Sequence, residues 1–182
     1  MTGKLMIASD LHGSGLYVNQ LLEAFAREQA QRLLLLGDLL YHGPRNDLPD
    51  GYAPKQVTAR LNEVAGQLLC VRGNCEAEVD QAVLDFPVLS DSALVFFGGK
   101  TLFLTHGHKL GPDNLPKLQP GDILLSGHTH VPMWEERSGI WCLNPGSASL
   151  PKAGTQHGYM TLDEAGFCWK TLSGATYYEL AI

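Results

Sequence analysis

Five short apolar runs in this chain each stop on a polar signature, and that repetition constrains the fold more than any other feature. Leu5–Ala8 leads into Ser9-Asp10-Leu11-His12-Gly13, and Leu33–Leu36 into Gly37-Asp38. Leu68–Val71 leads into Arg72-Gly73-Asn74, and Leu102–Leu104 into Thr105-His106-Gly107-His108. Ile123–Leu125 leads into Ser126-Gly127-His128-Thr129-His130. Runs this short, apolar throughout and bounded by Gly or Asp, suit strands buried on both faces. In an open α/β sheet, residues at the carboxyl ends of the strands converge on one crevice. One such ending is an ordinary turn; five, each carrying Asp, Asn or His, predict a site.

The segments between the runs set the fold class. Val18, Leu21, Leu22 and Phe25 fall at helical spacing between Gly15 and Gln31. Val57, Leu61, Val64 and Ala65 do so between Pro54 and Ala65, with Pro54 suited to the first turn and Gly66 to the stop. The first half therefore reads βαβαβ, with a parallel sheet and right-handed crossovers. The second half is expected to be strand-rich and largely antiparallel. Hairpins are predicted at Leu94–Phe97 with Thr101–Leu104, at Met133–Arg137 with Ile140–Leu143, and at Tyr159–Leu162 with Phe167–Leu172. Tyr177–Ile182 closes the chain. The expectation is an α/β fold and one domain spanning residues 1–182, with His42–Gly51 as an exposed loop near the site.

Composition removes several function classes. With 13 Lys and Arg against 19 Asp and Glu, the chain carries a net charge of −6, so binding to a nucleic acid backbone is not expected. No apolar run approaches the length of a membrane span, and the N-terminus lacks a signal-peptide pattern. Cytoplasmic residence is the expectation. Cys70, Cys75, Cys142 and Cys168 form no CxxC pair and read as reduced thiols. Trp134, Trp141, Trp169, Tyr177 and Tyr178 crowd the strand-rich end, as core aromatics or as an interface for a homo-oligomer.

Asp10 and His12 are two residues apart, as are His128 and His130, and each pair faces one way if the strand conformation persists. With Asp38, Asn74 and His106 they make seven oxygen and nitrogen donors. Seven is too many for one tetrahedral ion and suits two ions about 4 Å apart sharing a carboxylate. Imidazole, carboxylate and amide donors without a thiolate suit Mn, Fe, Co, Zn or Ni and argue against magnesium.

The set Asp10-x-His12, Gly37-Asp38, Gly73-Asn74-Cys75-Glu76, His106-Gly107-His108 and Gly127-His128-Thr129-His130, followed by Asn144-Pro145-Gly146-Ser147, resembles the calcineurin-like metallophosphoesterase family. It is most similar to the small bacterial phosphodiesterases of the YfcE type. The resemblance covers nearly the whole chain in the family's motif order. It implies a four-layer α/β/β/α sandwich of two mixed β-sheets. It also implies one metal ion on Asp10, His12, Asp38 and His130, a second on Asp38, Asn74, His106 and His128, Asp38 as the bridge, and manganese as the favoured metal.

The function this implies is hydrolysis of small phosphodiesters, aryl diesters such as bis-p-nitrophenyl phosphate among them, by hydroxide that the two ions activate. A phosphomonoesterase or nucleotidase with the same site is the alternative. A third reading is a non-catalytic protein-binding scaffold like Vps29, in which the metal-site residues are eroded; all seven positions here keep competent donors. Many relatives carry His directly after the Asn of the Gly-Asn motif, where this chain has Cys75. A thiol hydrogen-bonds weakly, so protonation of the leaving group falls to Cys75 or His108, or His108 orients a ligand. Arg45 is placed to clamp a phosphate, with His42 lining the pocket. Arg45 and Arg72 are the only cations expected near the substrate.

Overall fold

The computed structural model describes residues 3–181. Strands β1 (Leu5–Ala8), β2 (Arg32–Leu35) and β3 (Leu68–Cys70) alternate with helices α1 (Gly15–Glu28) and α2 (Pro54–Asn62). A four-residue helix α3 (Glu78–Gln81) follows. Eight strands complete the chain: β4 (Ser92–Phe97), β5 (Lys100–Thr105), β6 (Ile123–Leu125), β7 (Met133–Arg137), β8 (Ile140–Asn144), β9 (Gly158–Asp163), β10 (Gly166–Thr171) and β11 (Thr176–Leu180).

They form two mixed sheets, ordered β11-β10-β9-β1-β2-β3 and β4-β5-β6-β8-β7. The predicted parallel set β1, β2 and β3 is present. The second half is less antiparallel than its hairpins suggest. β5, β6 and β8 pair in parallel, because residues 106–122 return the chain to the same end of the sheet and the edge strand β7 reverses it before β8. Each sheet thus holds three parallel strands.

Alternation within the strands sends side chains to two cores. Leu5, Ile7, Leu34 and Leu36 meet Leu102, Leu104, Ile123, Leu125 and Leu143 between the sheets. Met6, Ala8, Leu33 and Leu35 face Val18, Leu21 and Phe25 of α1 and Val57 and Leu61 of α2. On the far face of the second sheet, Leu115 and Leu118 cover Leu124 and Cys142, so that outer layer is irregular backbone. At the strand-rich end Trp169 goes into the core, and Trp134, Trp141 and Tyr178 pack half-buried against it. Trp169 is fully buried, its indole N–H donates to the Asn144 carbonyl at 2.8 Å, and Trp134 stacks on Tyr178 at 3.9 Å. Of the five, only Tyr177 is exposed.

Both helices end earlier than their periodicity predicts. Ser14 caps α1 by accepting from the Tyr17 N–H, and the left-handed Gln29 (φ 52°) stops it after Glu28. A 3-10 turn at Ala65–Gln67 takes the last residues assigned to α2. No helix among the described residues is long and apolar enough to cross a membrane, and all four cysteines are free.

Glu28 locks α1 to the first sheet. Its carboxylate accepts from Lys170 Nζ at 2.7 Å, the Tyr159 hydroxyl at 2.8 Å and Lys4 Nζ at 3.1 Å. Burial disfavours its charge, but these donors outweigh burial and lower its pKa from 4.5 to about 2. A lowered carboxyl pKa contributes stability that is full above the unfolded value and is lost as pH falls through the folded one. Glu28→Gln is therefore expected to cost about 1–2 kcal/mol at pH 7, after screening through the partly exposed lysines. The deficit should shrink between pH 4.5 and pH 2. Denaturant titrations across that range check it; a deficit independent of pH contradicts it.

Candidate metal centre

The donors all follow the carboxyl ends of the parallel strands. Asp10 and His12 follow β1, Asp38 follows β2, Asn74 follows β3, His106 follows β5, and His128 and His130 follow β6. They converge, but not by strand geometry. Asp10, His12, Asp38, His128 and His130 all have left-handed φ, between 45° and 69°. The expectation that residues two apart face one way along an extended strand is therefore replaced by turned backbone. Such conformations cost about 1–3 kcal/mol each and persist only where the surroundings hold them.

Several contacts hold them here. The Asp10 N–H donates to the Gly37 carbonyl at 3.1 Å, and the His12 N–H to the Asp38 carbonyl at 2.9 Å. The hydroxyls of Ser147 and Ser149 both donate to the Asp10 carbonyl, at 2.7 and 2.9 Å. Asn144 Nδ2 donates to the Gly127 carbonyl at 2.7 Å, fixing the turn that carries His128 and His130. The buried Glu76 carboxylate accepts from the backbone N–H groups of Asp38 at 3.0 Å, Leu39 at 2.7 Å and Gly73. Burial and the neighbouring Asp38 charge push its carboxyl above the ordinary range. Glycine is required at 73, where a Cβ would collide with Asp38, and at 127, where one would collide with Ser9.

Three histidines are aimed by one device. The Nδ1 atoms of His12, His106 and His130 hydrogen-bond to the carbonyls of Tyr41, Leu36 and Leu150, at 2.8, 2.7 and 2.7 Å. A carbonyl only accepts, so each Nδ1 carries a proton, and in the neutral ring each Nε2 turns a lone pair inward. His12 Nε2 and His130 Nε2 then face each other at 3.2 Å. His106 Nε2 lies 3.1 Å from Asn74 Oδ1 and 3.2 Å from His128 Nδ1. Asp38 Oδ2 sits between the two halves, 3.7 Å from His12 Nε2 and 3.5 Å from His106 Nε2.

This arrangement fits cations. Asp10 Oδ1 is buried without a hydrogen-bond partner, with His130 Nε2 at 3.3 Å and His12 Nε2 at 3.6 Å. Burial opposes its charge, yet those imidazoles hold the carboxyl well below the usual range. Burial also opposes protonation of His106, but Asp38 and Asp10 raise its pKa to about 9. An ion seated among these groups meets the orphaned oxygen, separates the facing lone pairs and takes the place of the extra proton. The donor atoms of Asp10, His12 and His130, and those of Asp10, Asp38 and His106, each lie within 4.8 Å of one another.

The remaining predicted residues divide. Cys75 reaches the centre: its sulfur lies within 4.8 Å of donor atoms of His12 and Asp38, and its N–H donates to Asp38 Oδ1 at 2.9 Å. A sulfur therefore lies beside the donors, as a thiol and not a thiolate. Burial and the Asp38 charge push the thiol's pKa up. Arg45 lines a cavity of about 340 Å³ over the centre, with Asp38, Asn74, His128 and His130. His42 does not line that cavity; it sits edge-on to the rings of Tyr41 and Tyr52. His108 lies 5.4 Å from His106 between ring centres and lines a neighbouring cavity with His128. Burial and the His106 charge lower its pKa. Arg72 is turned away, donating to the Glu76 carbonyl.

Sequence reasoning quoted Glu76 and Asn144–Ser147 as motif positions without assigning them work, and it missed Lys152, which shares the cavity with Arg45. An acid three residues past Gly73 was the one available signal for Glu76. Lys152 had none.

Comparison with known proteins agrees with this geometry. A calcineurin-like phosphoesterase superfamily domain matches residues 4–166. The chain is 53% identical over 160 residues to phosphodiesterase YfcE of Escherichia coli K12, covering 88% of this chain and 87% of that one. The solved structure of that phosphoesterase superimposes with a TM-score of 0.95 at 49% identity, over 98% of this chain and 99% of the other. Vacuolar protein sorting 29 of Cryptosporidium parvum shares the fold, with a TM-score of 0.65 at 20% identity over 99% of this chain and 98% of the other. The two-sheet fold, the donors at its strand ends and the extent of these matches place the chain in the calcineurin-like phosphoesterase superfamily, a family of metal-binding phosphoester hydrolases, as a homologue of phosphodiesterase YfcE.

Proposed function

We propose that this protein is a metal-dependent phosphodiesterase acting on small phosphodiesters. In this reading Asp10, His12, Asp38 and His130 hold one divalent ion, Asp38, Asn74, His106 and His128 hold the second, and manganese is the favoured metal. The observation that carries it is the buried, unpartnered Asp10 Oδ1 beside inward-facing imidazole nitrogens. The relative named a phosphodiesterase supports the substrate class.

When bound, such a pair of ions lowers the pKa of water and offsets charge on the phosphoryl oxygens. The chain's own residues do the rest. Tyr41, Leu36 and Leu150 hold three imidazoles in the ligating tautomer through their carbonyls. The Asp38 carboxylate is kept ionised beside His106. Arg45, at the cavity, binds phosphoryl oxygens through its forked N–H groups. In this reading protonation of the leaving group falls to Cys75 or His108, and a thiol donates a proton poorly. The scaffold reading has less support, because all seven donor positions remain filled.

A manganese-supplemented phosphoester panel tests the reading. Bis-p-nitrophenyl phosphate should turn over readily, and simple alkyl diesters should lag by on the order of 10²–10⁴, the usual worth of general-acid assistance. Chelation should abolish turnover and manganese restore it. Bound metal with no turnover of any phosphoester sinks the proposal.

A further inference from the structure

The cavity over the metal centre holds a second cation that the phosphodiester reading does not use. Lys152 lines it together with Arg45. Among the described residues, eight of the 13 basic side chains bond a carboxylate, a carbonyl or a hydroxyl. Arg45 and Lys152 belong to the remainder, and both lie at this cavity. No Leu, Phe, Tyr or Trp side chain lines it, so it offers no apolar platform for a nucleobase or an acyl chain.

Lys152 is exposed, but its backbone is held in place. Its N–H donates to the His130 carbonyl at 3.2 Å. Its own carbonyl accepts from the Thr155 N–H at 3.1 Å and from the Thr155 hydroxyl at 2.7 Å. Two residues earlier, the Leu150 carbonyl accepts from His130 Nδ1. Arg45 is anchored in the same manner: the Tyr41 carbonyl accepts from His12 Nδ1, and Asn46 Nδ2 closes the turn on the His42 carbonyl at 2.8 Å. The two histidines whose Nε2 atoms face each other at 3.2 Å thus position both cation-bearing loops.

A phosphodiester is a monoanion, and the paired ions with Arg45 already answer its single charge. A further ammonium at this polar cavity is suited to a second negative charge. We propose that Lys152, beside Arg45, forms a subsite for an anionic group on one arm of the substrate, a carboxylate or a phosphate. The enzyme then selects small, hydrophilic, dianionic phosphodiesters over monoanionic ones. This inference rests on the phosphodiesterase reading.

Three p-nitrophenyl phosphodiesters test it, with identical leaving groups and a second arm of 2-carboxyethyl, 2-phosphoethyl or propyl. With manganese-loaded wild-type protein, at least one anionic arm should raise kcat/KM about tenfold or more over propyl, the worth of one charge-assisted hydrogen bond. Lys152→Gln should collapse that ratio chiefly through KM, and Lys152→Arg should restore it. Equal ratios in wild type and Lys152→Gln overturn the subsite. So does a loss on p-nitrophenyl phosphate as large as the loss on the anionic diesters, because Lys152 would then be reading charge on the phosphoryl group itself. Absence of turnover on every diester, bis-p-nitrophenyl phosphate included, identifies failure of the underlying activity instead.

Discussion

Asp38→Ala is expected to lower phosphodiester turnover by about 10³-fold or more and to leave a folded protein. Asp38 is 2% exposed, and one of its oxygens stands between His12 and His106 at 3.7 and 3.5 Å. Truncation also strands the Cys75 N–H, which donates to Asp38 Oδ1 at 2.9 Å, at a cost of about 1–3 kcal/mol. Asp38 has φ 57°, where Asn is better tolerated than Ala. Asp38→Asn therefore separates charge from backbone strain: it should keep stability near wild type and still lose turnover. Bis-p-nitrophenyl phosphate hydrolysis and metal content per chain, measured on both variants, check the expectation. Retention of both metal stoichiometry and rate in Asp38→Asn would remove Asp38 from the centre.

Glu76→Ala is expected to produce the largest loss of stability, about 3–5 kcal/mol from the stranded donors. Its carboxylate ties the turn after β2 to the turn after β3 through three backbone N–H groups. Removing it leaves those donors buried and unpaired, and each such group costs about 1–3 kcal/mol. For a chain of this size that corresponds to a fall in Tm of about 6–20 °C. Glu76→Gln should fall between, because the amide still accepts hydrogen bonds but carries no charge. Thermal unfolding followed by circular dichroism reads the effect, and a shift below about 2 °C in Glu76→Ala contradicts the assigned role. Metal affinity should drop with stability, since the same turn carries Asp38.

The donors were legible in the sequence for a specific reason. A short apolar run ending in Gly with Asp, Asn or His is a local pattern, and burial of a parallel strand writes that pattern into consecutive residues. The strands from Leu5, Leu68, Ile123 and Met133 fall within a residue or two of expectation for the same reason. The mode of convergence was not legible. Spacing of two residues suggested extended backbone at Asp10-x-His12 and His128-x-His130, whereas all four residues take left-handed φ. That conformation is imposed by partners distant in sequence, such as Ser147 and Ser149 on the Asp10 carbonyl. Strand pairing was hidden as well: hairpins announce antiparallel neighbours, but nothing local records that β5, β6 and β8 run in parallel. The tryptophans left core and interface open; the structure buries Trp169, on the Asn144 carbonyl, and leaves Trp134, on Tyr178, and Trp141 half-buried against that core.

From its residues alone, the chain determined an α/β architecture and the chemical identity of seven donors, because strand burial and ligand chemistry are properties of neighbouring side chains. Only the tertiary structure decided how those donors are turned and which carboxylate stands between the halves. It also brought Glu76 and Lys152 to the site. These outcomes depend on hydrogen bonds between segments separated by many residues, and such bonds exist only once the two sheets have closed on each other.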